Sequence, residues 1–86
     1  MKRITPQNMT EEDEATIRQA INRFTREAPP HKIYRDWNKI FFFFSSLVSW
    51  LVVNNVMCAP SIVKKLLKEQ GGRYQGDKKQ WMLPTV

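Results

Sequence analysis

Asp36-Trp37-Asn38-Lys39-Ile40-Phe41-Phe42-Phe43-Phe44-Ser45-Ser46-Leu47-Val48-Ser49-Trp50-Leu51-Val52-Val53 is the stretch on which the reading of this chain turns. Trp37, Ile40, Phe41, Phe44, Leu47, Val48, Leu51 and Val52 keep a helical period, which predicts a helix over 36–53 capped by Asp36. Its opposite face carries Phe42, Phe43, Trp50 and Val53, interrupted only by Asn38, Ser45, Ser46 and Ser49. A helix that is apolar nearly all round must be buried. A strand is the second reading, because valine, phenylalanine and tryptophan suit strands and period alone does not decide short apolar runs.

The same region raises the question of a membrane. Residues 40–59 form a 20-residue uncharged segment flanked by Lys39 and Lys64, close to the length of a span. Its continuously apolar part is only 40–53, three of those 14 residues are serine, and Asn54-Asn55 would have to lie in hydrocarbon. A protein core is the favoured destination and membrane attachment the less favoured one.

On the N-terminal side, Ile17, Ala20, Ile21, Phe24 and Ala28 recur at three- and four-residue spacing, which predicts an amphipathic helix over 10–28. Thr10 with Asp13 three residues on marks its start. Glu11, Glu12, Asp13 and Glu14 sit beside the positive end of the helix dipole, and Pro29-Pro30 ends the helix. Residues 1–9 are expected to be a flexible lead-in to one small domain over 10–84. On the C-terminal side, Pro60 opens a third helix over 60–70 with Ile62, Val63, Leu66 and Leu67 as its apolar stripe, and Gly71-Gly72 closes it. A hairpin over 73–83 follows, turning at Gly76-Asp77-Lys78-Lys79, with Tyr74 and Trp81 able to pair across the strands. The expected fold class is α+β, three helices followed by a C-terminal β-hairpin.

Eighty-six residues suffice for one core, and 42% hydrophobic with 26% charged residues excludes wholesale disorder. Fourteen Lys and Arg against eight Asp and Glu give a net charge of +6, which points to an acidic partner. The excess is unevenly placed. Residues 1–30 carry five bases and five acids, whereas 64–86 carry six bases and two acids, a local +4. Ser61, Lys64, Lys65 and Lys68 project within about 100° of one another on the third helix, given 3.6 residues per turn. Arg73, Lys78 and Lys79 follow on the hairpin. Such a cluster suits phosphate contacts, so these seven residues are the candidate nucleic-acid-binding set.

The order helix, Gly-Gly, short basic hairpin over 60–84 resembles the recognition helix and wing of winged-helix DNA-binding domains. That resemblance places Ser61, Lys64, Lys65 and Lys68 where groove-facing residues lie and Lys78-Lys79 at the wing tip. The string Leu67-Lys68-Glu69-Gln70-Gly71-Gly72-Arg73-Tyr74, closing with Lys79-Gln80-Trp81, is also similar to the HARP-type module of some DNA-remodelling helicases. Both imply a winged-helix-like or related unit that binds nucleic acid. Tyr74 and Trp81 either stack on bases or anchor the hairpin to the core. Phe41, Phe42, Phe43 and Trp50 read as core or as a protein-facing patch, with a homodimer as its simplest use.

Catalytic signals are sparse. Cys58 and His31 lack a third group and an oxyanion loop, and the acidic run 11–14 lacks calcium-loop spacing. Neither a phosphate-binding loop nor a dinucleotide fingerprint occurs, and one cysteine with one histidine cannot hold structural zinc. The expectation is a non-enzymatic binding protein without cofactor or metal. A lone cysteine and an N-terminus without the apolar stretch of a secretion signal suit the reducing cytoplasm.

Overall fold

The computed structural model describes residues 3–84 and begins its regular structure where the sequence marks a helix start. Helix α1 (Glu11–Glu27) opens with a reciprocal box: the Thr10 hydroxyl accepts the Asp13 N–H at 3.1 Å, and the Asp13 carboxylate accepts the Thr10 N–H at 3.2 Å. Ala28 leaves the helical conformation immediately before Pro29. The chain then forms strands β1 (Ile33–Asp36) and β2 (Lys39–Phe42), helices α2 (Phe44–Val53) and α3 (Pro60–Glu69), and strands β3 (Arg73–Gln75) and β4 (Gln80–Pro84). All strand pairs are antiparallel, in the order β1-β2-β4-β3.

The expected helix over 36–53 is therefore corrected. Its first part is the tip and second arm of a hairpin, and only 44–53 is helical. The fold is α+β with three helices, as expected, but two strands precede α2, and the C-terminal hairpin is half of a four-stranded sheet. The reason lies in the phenylalanine run. A helix would spread Phe41 to Phe44 around its circumference, and a chain this small has no interior to surround them. A strand sends alternate residues to opposite faces. Ile40 and Phe42 thus enter the core at 1% exposure each, while Phe41 points to the other face. The reversal is a two-residue connection, Trp37-Asn38, with Trp37 at φ +54.

Ile33, Ile40, Phe42, Trp81 and Leu83 make one continuous buried cluster with Ile17, Ile21 and Phe24 of α1, Leu47 and Leu51 of α2, and the apolar stripe of α3. All three helices consequently cover one face of the sheet. Among the described residues no polar or charged side chain is buried. Phe24 sits at the centre, edge-on to Phe42 at 5.3 Å and to Trp50 at 5.8 Å. The Trp50 indole also donates to the Ala20 carbonyl at 3.2 Å, which satisfies its one polar atom. Leu47 and Leu51, one helical turn apart, seat α2 on this cluster.

Residues 3–9, the described part of the lead-in treated above as flexible, run beside the α2–α3 link; Met1 and Lys2 lie outside the described residues. Ile4 donates to Met57 at 2.8 Å and accepts from Ala59 at 2.9 Å, and its side chain packs on the core.

Pro60 occupies the first turn of α3, where its missing N–H costs nothing. At the other end Gly71, at φ +85, donates to Lys68 at 3.1 Å, and Gly72 donates to Leu67 at 2.8 Å. This is the Schellman arrangement, and it turns the chain from α3 directly into β3. A Cβ on Gly72 would lie 2.6 Å from the Leu67 carbonyl oxygen and 2.8 Å from Leu83 Cδ2, so the glycine is required by close approach of α3 and β4. Gly72→Ala should lower unfolding stability by about 1–3 kcal/mol, the usual cost of overpacking, measured by urea denaturation followed by circular dichroism.

Candidate nucleic-acid interface

The basic stripe of α3 follows from the same periodicity that buries its other side. Ile62, Val63, Leu66 and Leu67 face inward, which leaves Ser61, Lys64, Lys65 and Lys68 exposed and lining one shallow depression together with Glu69. Lys64 and Lys68 also border a groove of about 360 Å³ between α3 and the hairpin, with Phe44, Tyr74 and Trp81 as its aromatic wall. Lys64 Nζ stands 5.4 Å from the centre of the Phe44 ring, within cation–π range.

Charge partners are distributed so that this stripe stays positive. Each ion pair among the described residues involves an arginine of α1: Arg18 to Glu14 and to Glu69 of α3, both at 2.9 Å, and Arg23 to Glu27 at 3.1 Å. Arg18 thereby takes up Glu69, the one acid on α3, and its own pKa is raised above the ordinary arginine value, chiefly by the hydrogen bond to Glu14. Among the described residues, Lys64, Lys65 and Lys68 take part in no ion pair. Exposed pairs of this kind contribute little to stability. Their effect here is on the field that a phosphate would meet.

The hairpin separates the remaining sequence candidates. Tyr74 and Trp81 face each other across β3 and β4, with rings 5.7 Å apart on the helix side of the sheet. Trp81 is 4% exposed and anchors the hairpin to the core; Tyr74 is 55% exposed and forms the open edge of the groove. By alternation Arg73, paired with Met82, points to the opposite face of the sheet. Lys78 lies on that face too, its Nζ 5.8 Å from the centre of the Phe41 ring. Lys79, at φ +54, occupies the turn. The seven candidates therefore form two groups: Ser61, Lys64, Lys65 and Lys68 beside the groove, Arg73 and Lys78 on the open sheet face, with Lys79 at the tip between them.

The aromatic candidates divide as well. Phe42 is core and is withdrawn as an interface residue. Trp50 is half-buried and engaged with Phe24 and Ala20, so its role is packing. Phe41 is half-buried on the open sheet face, and Phe43 is exposed just before α2. Phe44, a wall of the groove, and Tyr34, beside Phe41, are absent from the sequence-derived set. The alternation Ile33-Tyr34-Arg35 was the available signal for Tyr34.

Cys58 is half-buried, near Val56, Met57 and Val63, and His31 is exposed in the turn before β1. Burial pushes the Cys58 thiol pKa up, against a smaller opposing effect of Arg3. A raised thiol pKa leaves less thiolate and hence less nucleophile. Among the described residues no group of three or more His, Cys, Asp or Glu is placed to hold a metal ion, and no helix is long and apolar enough to cross a membrane. Comparison of the chain with known protein families, with curated proteins and with solved structures gives no match.

The Tyr74–Trp81 contact is the only aromatic pair linking β3 to β4 among the described residues. Tyr74→Ala should destabilise the fold by about 0.2–1 kcal/mol, the range for a cross-strand pair, read as a small fall in the denaturation midpoint with the far-ultraviolet spectrum retained.

Proposed function

We propose that this protein is a small, non-enzymatic, cytoplasmic nucleic-acid-binding protein that receives a phosphate backbone along α3 and the tip of the β3–β4 hairpin. The observation that carries the reading is the row Lys64, Lys65 and Lys68, without an ion pair among the described residues, of which Lys64 and Lys68 border an aromatic-walled groove, while the acid on the same helix is engaged by Arg18. Phosphate contacts supply affinity and orientation, and lysines on a rigid helix pre-organise them. The succession of α3, its glycine turn and a hairpin packed back on the core supports the winged-helix-like reading of 60–84. In that arrangement Ser61 is the polar, uncharged side chain available to a base edge.

A second reading rests on a different observation. Phe43, Val52 and Val53 are exposed at 48%, 48% and 79% on and beside α2, which suits docking to a protein or to a second copy. It predicts self-association or partner-dependent solubility and is tested by mass in solution.

For the favoured reading, four cations are available, Lys64, Lys65 and Lys68 on α3 and Lys79 at the hairpin tip. Binding to a 20-base-pair duplex of mixed sequence should then weaken with salt at a log–log slope of about −4, since each phosphate contact contributes roughly −0.9. The double variant Lys65→Ala, Lys68→Ala should flatten the slope by about two units and weaken all sequences alike, with circular dichroism confirming its fold. A folded double variant that binds as tightly as the wild type would overturn the assignment of α3.

A further inference from the structure

The sheet has one face covered by helices and one face open, and the open face is not the polar surface that a solvated antiparallel sheet ordinarily presents. Tyr34 of β1, Phe41 of β2 and Met82 of β4 stand side by side in one row across three strands, because Tyr34 pairs with Phe41 and Phe41 with Met82. The rings of Tyr34 and Phe41 are 6.1 Å apart, and Tyr34 is 63% exposed. Cations border the row. Arg73 ends it across from Met82, Lys39 is two residues from Phe41 on the same strand face, and Lys78 stands over the Phe41 ring. Asp36, opposite Lys39, is the single acid on the four strands.

We infer that this open face is a second binding surface, which takes the unpaired bases of a single-stranded polynucleotide. Tyr34 offers an exposed ring face for stacking, the half-buried Phe41 beside it extends the aromatic floor beneath Lys78, and Lys39, Arg73 and Lys78 are placed for the phosphates on either side. A duplex keeps its base faces stacked on one another, so an aromatic row of this kind is useful only to a strand whose bases are free. The cationic border is what selects a polyanion over an apolar protein patch. The inference rests on the nucleic-acid reading above, but on different residues: none of Tyr34, Phe41, Met82, Lys39, Arg73 and Lys78 lies on α3.

The test is fluorescence anisotropy of a labelled 20-nucleotide oligothymidylate and of the mixed-sequence duplex, with the wild type, Tyr34→Ala, Tyr34→Trp, Lys78→Ala and the α3 double variant. Tyr34→Ala should weaken oligothymidylate binding at least about fivefold, the lower end for loss of one stacked base, with its salt slope unchanged and duplex binding within about twofold. Tyr34→Trp should retain the binding, because it keeps a ring face. Lys78→Ala should flatten the single-strand slope by about 0.7 and provides a second route should Tyr34→Ala fail to fold. Unchanged oligothymidylate binding in folded Tyr34→Ala and Lys78→Ala would overturn the inference. So would equal loss for duplex and single strand, or a dimer in the wild type that Tyr34→Ala dissociates, which would give the face to a second copy. Duplex binding without oligothymidylate binding would remove the sheet surface and leave the α3 reading standing. Oligothymidylate binding that survives the α3 double variant and is lost in Tyr34→Ala, with no duplex binding by the wild type, would remove the α3 reading and keep the sheet.

Discussion

The edge-to-face contact of Phe24 with Phe42 holds the sheet against its helices, and most of the remaining architecture follows from where it places β2. Phe42 is flanked by Ile33 on β1 and Trp81 on β4, so one ring touches the first helix and sits between both hairpins. Because β2 is a central strand, fixing the facing of Phe42 fixes that of Ile40, and a one-residue slip would turn every side chain of the strand to the wrong face. Trp50 meets the same Phe24 ring from α2. A core of this size, wholly apolar, has few alternative ways to be filled.

That single-sided core also decides what is left outside. With all three helices on one face, the other face of the sheet must be solvated or occupied. Its central row is nonetheless Tyr34, Phe41 and Met82, in which the cross-strand aromatic contact contributes only modestly and Tyr34 stays largely exposed. The basic residues have a similar logic. α1 carries both signs and pairs Arg18 and Arg23 with its own acids, Arg18 also reaching Glu69 of α3, whereas among the described residues no ion pair engages the lysines of α3 and the hairpin. Charge is thus separated along the chain and again in space: Lys64 and Lys68 of α3 border the groove, whereas Arg73 and Lys78 of the hairpin lie on the open sheet face.

The local elements were legible in the sequence where a short-range chemical signal exists. Thr10 with Asp13 marked the start of α1, Ala28-Pro29 its end, Pro60 the start of α3, Gly71-Gly72 its Schellman turn, and Tyr74 with Trp81 the register of the second hairpin. Each of these depends on neighbours within a few residues, so the sequence determines it directly. The run from Asp36 to Val53 carried no such signal. Its apolar residues are so dense that helical and alternating periods both fit, and the two-residue reversal at Trp37-Asn38 has none of the glycine that usually announces a tight turn.

The candidate site divides along the same line. That α3 would show Ser61, Lys64, Lys65 and Lys68 on one side was readable from a period of 3.6, as was the excess of charge after residue 64. That Phe44 would join Tyr74 and Trp81 in a groove beside Lys64 and Lys68 was not readable, nor was the placement of Lys78 over Phe41, 37 positions earlier in the chain. These neighbours exist only because β2 inserts between β1 and β4, a pairing distant in sequence. The boundaries of α1 and α3, the turn glycines and the sign of the charge were fixed locally, since these are properties of adjacent residues. The split of the phenylalanine run between strand and helix, and the parting of the cations across a sheet, arise from long-range packing, because burial in one small core selects among periods that the chain alone permits equally.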